Sequence, residues 1–268
     1  MIAELKERFP SWVLDDYQYS TCLSDDIDSW LSCAVLKTIR GYEVDYFYDF
    51  NNFYSNGSDN KAICIDADMA IGRCWSNHCA ILNHDDEYNQ ESANINNLLK
   101  ISRNTYMQKF AGSTLLQIMS YYDVPLPKNE EALMLLLAID CSFKGFYNND
   151  FKKYNIKHLE SLELWDLIEV LKNHEKQDFY SIIKKYRTYE KIHMVDGKLT
   201  TKIDLAAIQP QFFEYDLSLP KDTFVLKKLY NSKMKNLHKG YTYSKYNLDK
   251  NIISLAITSK NHVRYTTA

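Results

Sequence analysis

The stretch YQYSTCLSDDIDSWLSCAVLKTIRGYEVDYFYDF, residues 17–50, changes its period twice. Residues 17–23 alternate aromatic and small side chains, as a strand does. Ile27, Leu31, Val35 and Ile39 then recur at every fourth position, the spacing of one helix face, and Gly41 supplies a stop. Residues 44–50 return to β-forming types. A strand, a helix and a second strand in succession predict a parallel pairing. At the first joint stand Asp25, Asp26 and Asp28. Crowded carboxylates disfavour one another's ionised form unless a cation or hydrogen-bond donors sit between them. The cluster is therefore either part of a metal site or a well-solvated helix start.

Working outward, AICID at 62–66 is a second short apolar run ending on an aspartate, and RCWSNHCAILN at 73–83 brings His78. In parallel sheets ligand groups gather at the carboxyl ends of strands, which is where Asp26 and Asp66 are expected. KFAGSTLLQIMSYYD reads as a helix interrupted by Pro125 and Pro127, and EEALMLLLAIDCSFKGFY as an apolar helix closing near Asp140 and Gly145. Residues 160–187 read as amphipathic helix with Leu162, Trp165, Ile168 and Leu171 on one stripe. HMVDGKLTTKI reads as a hairpin turning at Asp196 and Gly197, and NIISLAITSKNHVRYT as a closing strand pair. The expected fold class is α/β, a mostly parallel sheet flanked by helices, with a smaller C-terminal α+β module. The expected domains are residues 1–155 and 156–268.

The 268 residues are 46% hydrophobic and 25% charged, an ordinary globular composition, and no apolar run is long enough to span a membrane. MIAELKERFP lacks the basic start and apolar middle of a secretory signal, so a cytoplasmic location is expected. The six cysteines then read as reduced thiols, and Cys74, Cys79 and His84 lack the paired spacing of a zinc site. Net charge is −3, but residues 1–150 carry −11 and residues 151–268 carry +8. An acidic half joined to a basic half fits a carboxylate-lined site beside a surface for anions.

In order, DDIDS at 25–29, ICIDAD at 63–68, SNH at 76–78 and AIDCS at 138–142 form four acidic or histidine stations. Their order resembles the DHH phosphoesterase superfamily over roughly residues 15–147. Asp26-Ile27-Asp28 matches the Asp-x-Asp of its first motif, and Leu31-Ser32 falls where a Gly-Ser pair would be. Asp66 matches its strand-end aspartate, His78 one histidine of its third motif, KFAGSTLLQIM its small-residue helix, and Asp140 its fourth aspartate. Cys22 stands in place of the first-motif histidine, Ser24 in place of the proline, and Asn77-His78-Cys79 or Ser76-Asn77-His78 in place of Asp-His-His.

The resemblance implies that Asp26, Asp28, Asp66, His78 and Asp140 hold one or two Mn²⁺ or Mg²⁺ ions, a pair lying about 3.5–4 Å apart, and that these residues are catalytic. Such ions generate a hydroxide from bound water and polarise a phosphoryl oxygen. The implied activity is hydrolysis of phosphodiester bonds in short or single-stranded nucleic acid or nucleotide messengers. The alternative is a catalytically degenerate relative that binds a nucleotide or a protein partner, which the replaced histidines favour.

The residues also admit plainer readings. Asp25, Asp26 and Asp28 serve equally as helix-capping charges. Asp66 and Asp68 read as a strand-end turn or a dehalogenase-type Asp-x-Asp, against which Met69 and Ala70 count. His78 reads as a structural histidine beside Trp75, and Asp140 as a solvated helix end. In KKLYNSKMKNLHKGYTYSKY, residues 227–246, Lys227, Lys228, Lys233, Lys235 and Tyr241 combine cations for phosphate with rings for bases, the needs of a single-strand binder, or form a solvated basic face.

Overall fold

Residues 1–268 are described by a computed structural model. The opening stretch folds as its periods require. β1 (Ser20–Leu23) and β2 (Val44–Tyr48) pair in parallel and are connected through α2 (Ile27–Arg40). Asp26 caps α2 by accepting the Ser29 N–H, and Gly41 ends it in the left-handed region at φ 69°, where a side chain would be strained.

β3 (Asn52–Ser55) folds back on β2, after which β4 (Ala62–Ile65) takes the other side of β1. β5 (Cys74–Trp75) and β6 (Ser92–Ala93) extend that side, and β9 (Val225–Leu229) closes the far edge on β3. The order is β6-β5-β4-β1-β2-β3-β9, with four parallel pairings and two antiparallel ones. The class is α/β, as expected, with a mostly parallel sheet. Tyr46, Cys22, Cys64, Cys74 and Ser92 stand in register across five neighbouring strands, and the three thiols are buried in its core.

Two compact units share the chain in alternate segments. The sheet unit comprises Arg8–Ser24, Glu43–Lys109 and Phe224–Ala268. It includes α3 (Ile95–Leu98), α11 (Lys245–Leu248) and a second, antiparallel sheet of β10 (Asn231–Asn236), β12 (His262–Thr267) and β11 (Ile252–Ser259). Residues 68–70 bind directly to β11: the Leu255 N–H donates to the Asp68 carbonyl at 3.0 Å and the Ala70 N–H to that of Ile253 at 2.8 Å. The C-terminal strands thus belong with the main sheet, and a single boundary near residue 155 does not describe the molecule.

The other unit comprises Met1–Glu7, Asp25–Tyr42 and Phe110–Thr223. It holds α1 (Ala3–Lys6), α2, α4 (Thr114–Tyr121), α5 (Glu130–Ala138), α6 (Ser142–Phe146) and α7 (Asn149–Ser161). α8 (Trp165–Asn173), α9 (Lys176–Tyr186), α10 (Leu205–Ile208) and the hairpin of β7 (Ile192–Val195) and β8 (Lys198–Thr201) complete it. The hairpin turns at Asp196 and Gly197, both at positive φ, as its sequence predicts. The expected continuous helix over 160–187 is instead broken: Glu163 takes φ 57°, and Trp165 is 55% exposed rather than buried with Leu162, Ile168 and Leu171. No helix is long and apolar enough to cross a membrane.

Candidate functional site

β1 and β4 are neighbours from which the chain departs toward opposite edges of the sheet, so their carboxyl ends form a topological switch point, the usual place for ligands in such sheets. In the sheet unit this edge carries Ser24 after β1, Asp66 after β4, Asn77 and His78 after β5, and Asn94 after β6. Asp66 is buried and held at φ 57°, a region that non-glycine residues seldom occupy without a compensating structure around them. His78 Nδ1 lies 2.8 Å from Asn77 Oδ1 and 3.9 Å from Asp66 Oδ1. Two predicted stations, Asp66 and His78, are therefore brought together.

What secures this edge was not singled out in the sequence. Residues 92–97, SANINN, place Ser92, Asn94, Asn96 and Asn97 wholly inside. Asn94 Nδ2 donates to the His78 carbonyl at 2.7 Å and Asn96 Nδ2 to that of Asn77 at 2.6 Å. Buried amides are tolerated because each finds a partner. The readable signal was the alternation of amide and apolar residues in so short a segment.

The same asparagines hold Asp68. Ser92 Oγ, Asn94 Nδ2 and Asn97 Nδ2 donate to its Oδ2 at 3.1, 2.5 and 2.9 Å. Burial pushes the carboxyl up to about 7 despite these donors and the Lys245 charge, which pull it down. A carboxyl poised near neutrality is suited to proton transfer or to pH-dependent binding.

Asp26, Asp28 and Asp140 lie in the other unit, the first two at the start of α2 and the third just after α5. Asp28 accepts the Thr114 N–H on Oδ2 at 2.8 Å and the Leu115 N–H on Oδ1 at 2.9 Å. With Ser113 Oγ accepting the Leu116 N–H at 3.1 Å, three of the four unpaired amides at the start of α4 are satisfied. Burial, then the charges of Asp26 and Asp140, push the Asp28 carboxyl well above the usual range, while the two amides pull it down. The cation beside the opening cluster is an ammonium: Lys191 Nζ lies 2.9 Å from Asp25 Oδ1 and 3.2 Å from Asp26 Oδ2.

The five predicted ligands thus fall into two groups, one in each unit. Within neither unit do three His, Cys, Asp or Glu side chains converge as a metal ion requires. Asp28 has both oxygens on backbone amides, and Asp26 is shared between its helix cap and Lys191. Asp26 and Asp28 are thus already engaged by donors of their own unit, while Asp66 and His78 are the two predicted ligands that the sheet unit holds.

The basic segment separates as well. Lys227 and Lys228 are exposed on β9, and Lys233 is paired with Asp249 at 2.8 Å. Tyr241 joins Arg103, Asn104, Lys239, Tyr243 and Lys260 around a recess of about 660 Å³ that no carboxylate lines. Arg103 is buried and donates to the carbonyls of Leu237, His238, Tyr241 and Lys260 at 2.9–3.2 Å. Its guanidinium lies 5.2 Å from the Tyr243 ring centre, with Lys235 Nζ at 5.6 Å from the same ring. Four backbone carbonyls satisfy the donors of Arg103 but leave its charge uncancelled, so the recess is positive. Sequence reasoning missed Arg103 because it stands alone between polar residues in ISRNTY.

No family model, characterised protein or solved structure matches the chain. The site must therefore be read from its own residues.

Proposed function

We propose that this protein binds a nucleotide or a short single-stranded nucleic acid, and that its resemblance to the DHH phosphoesterases is that of a degenerate relative. The observation that carries this reading is the recess around Arg103. It combines three cations with two tyrosine rings and has no acidic lining residue. Cations neutralise phosphate while tyrosine faces stack on bases, and neither demands a particular sequence. Of the aspartates that match the family's ligands, Asp26 caps α2 and pairs with Lys191, and Asp28 caps the start of α4. The expected setting of such a ligand is the cytoplasm.

Fluorescence anisotropy of a labelled oligothymidine or oligoadenosine tests the proposal. The wild type is expected to bind at low salt, and the double variant Lys239→Glu, Lys260→Glu to bind about tenfold or more weakly. Absence of binding at low salt, or equal affinity in the variant, would overturn it.

One observation favours a phosphodiesterase instead: Asp66 and His78 meet at the strand ends. Hydrolysis of bis(p-nitrophenyl) phosphate with Mn²⁺ or Mg²⁺, abolished by Asp66→Ala, would establish that reading in place of the first.

A further inference from the structure

Asp68 is only 4% exposed, yet it lines a cavity of about 240 Å³ within the sheet unit. All its side-chain donors converge on one oxygen: Ser92, Asn94 and Asn97 reach Oδ2, and Oδ1 receives none. The asparagines are rigidly placed, because Asn94 also caps α3 and ties the His78 carbonyl, while Asn97 Nδ2 also reaches Ser92 Oγ. The carboxyl therefore cannot rotate to share its donors without losing them.

The rest of the lining selects among ligands. Met69, Ala80, Ile252 and Leu255 offer apolar walls, and Tyr88 and Tyr246 offer rings. The charged lining groups are Lys245, Lys250, Glu87 and Asp249, two of each sign. Lys245 Nζ donates to the Glu87 carbonyl at 2.5 Å and acts on Asp68 through its charge rather than through a hydrogen bond. The thiols that feel the Asp68 charge, Cys64, Cys74 and Cys79, are all pushed up, first by the Cys22 hydrogen bond for Cys64 and by burial for the other two, and stay protonated at neutral pH. An anion would meet a carboxylate at the base of this cavity, and a purely apolar molecule would leave Oδ1 without a partner.

We propose that this cavity binds a small flat molecule that presents N–H donors, an amidine or an aminated heterocycle, to Asp68 Oδ1. The ring lies between apolar walls and tyrosines, and the N–H edge points inward. This site is independent of the basic recess and of the nucleic-acid reading, since it uses a different cavity, different residues and a ligand of opposite charge character.

The test is isothermal titration with benzamidine and with 2-aminopyridine, using benzoate as a control of the same shape. At pH 8 at least one of the two amines is expected to bind and benzoate not to. Benzamidine binding should weaken about tenfold or more by pH 5 as the carboxyl takes up its proton. Asp68→Asn turns an amide toward the cavity and should abolish binding. Ala80→Phe leaves the carboxyl in place but fills the space, and should abolish it too. Failure of both amines to bind at pH 8, equal binding of benzoate, or binding retained in both variants would overturn the proposal.

Discussion

Lys191 stands between Asp25 and Asp26, its Nζ within 3.2 Å of an oxygen of each. Burial lowers the ammonium's proton affinity, but the two carboxylates outweigh it and raise the group above its ordinary value. The Ile192 N–H donates to the Asp25 carbonyl at 2.8 Å, so β7 and the start of α2 are joined by backbone as well as by charge. Replacing Lys191 by Met is expected to lower stability by about 1 kcal/mol, since the pair is partly exposed. Because Asp25 and Asp26 then lack their cation, the variant should gain melting temperature on addition of millimolar Mn²⁺ where the wild type does not. Thermal unfolding with and without the ion measures both effects.

Asp28 is expected to matter through α4. Asp28→Ala removes two acceptors from buried amides and should cost about 2–4 kcal/mol. Asp28→Asn keeps one acceptor and relieves repulsion with Asp26 and Asp140, so its cost should be less than half as large. Urea unfolding of the two variants compares them directly.

Asp68 sets a pH dependence opposite to that of a salt-bridged aspartate. Folded, it titrates near 7; unfolded, it titrates near 3.8. Between these values the folded state holds more protons, so stability falls as pH rises through the window, by about 4 kcal/mol when the whole shift is lost. Asp28, also raised, adds in the same direction. Wild-type stability should decline from pH 5 to pH 8, and Asp68→Asn should make that decline shallower. Chemical unfolding across this range reads the slope.

If oligonucleotide binding runs through the basic recess, its affinity should fall linearly with the logarithm of salt concentration. Each of Lys239→Ala and Lys260→Ala should reduce that slope by about 0.7 for a single strand. Lys233→Ala should leave it unchanged, because Lys233 already neutralises Asp249.

The local parts of this fold were legible. Asp26 and Gly41 bound α2 because an N-cap carboxylate and a left-handed glycine are written in adjacent residues, and the turn at Asp196 and Gly197 is of the same kind. The C-terminal closing pair also emerged as β11 and β12. Long-range features were not legible. Nothing near residues 225–229 announces pairing with β3, some 170 residues earlier. Lys191 is as distant from Asp26, so the cation between the aspartates could be posited from their repulsion but not identified. Asp66 and His78 lie side by side at the sheet edge, whereas the setting of Asp68 was not legible, because the alternation of amide and apolar residues at 92–97 signals an inward-facing segment but not which carboxylate it holds.

The alternate sharing of the chain between two units has a consequence for synthesis. The main sheet lacks its edge strand β9, and residues 68–70 lack β11, until the segment Phe224–Ala268 has been translated. A nascent chain halted near residue 155 would display an unfinished sheet edge to whatever surrounds the ribosome. Fragments cut at that point should need each other, mixed in one vessel, before either becomes soluble.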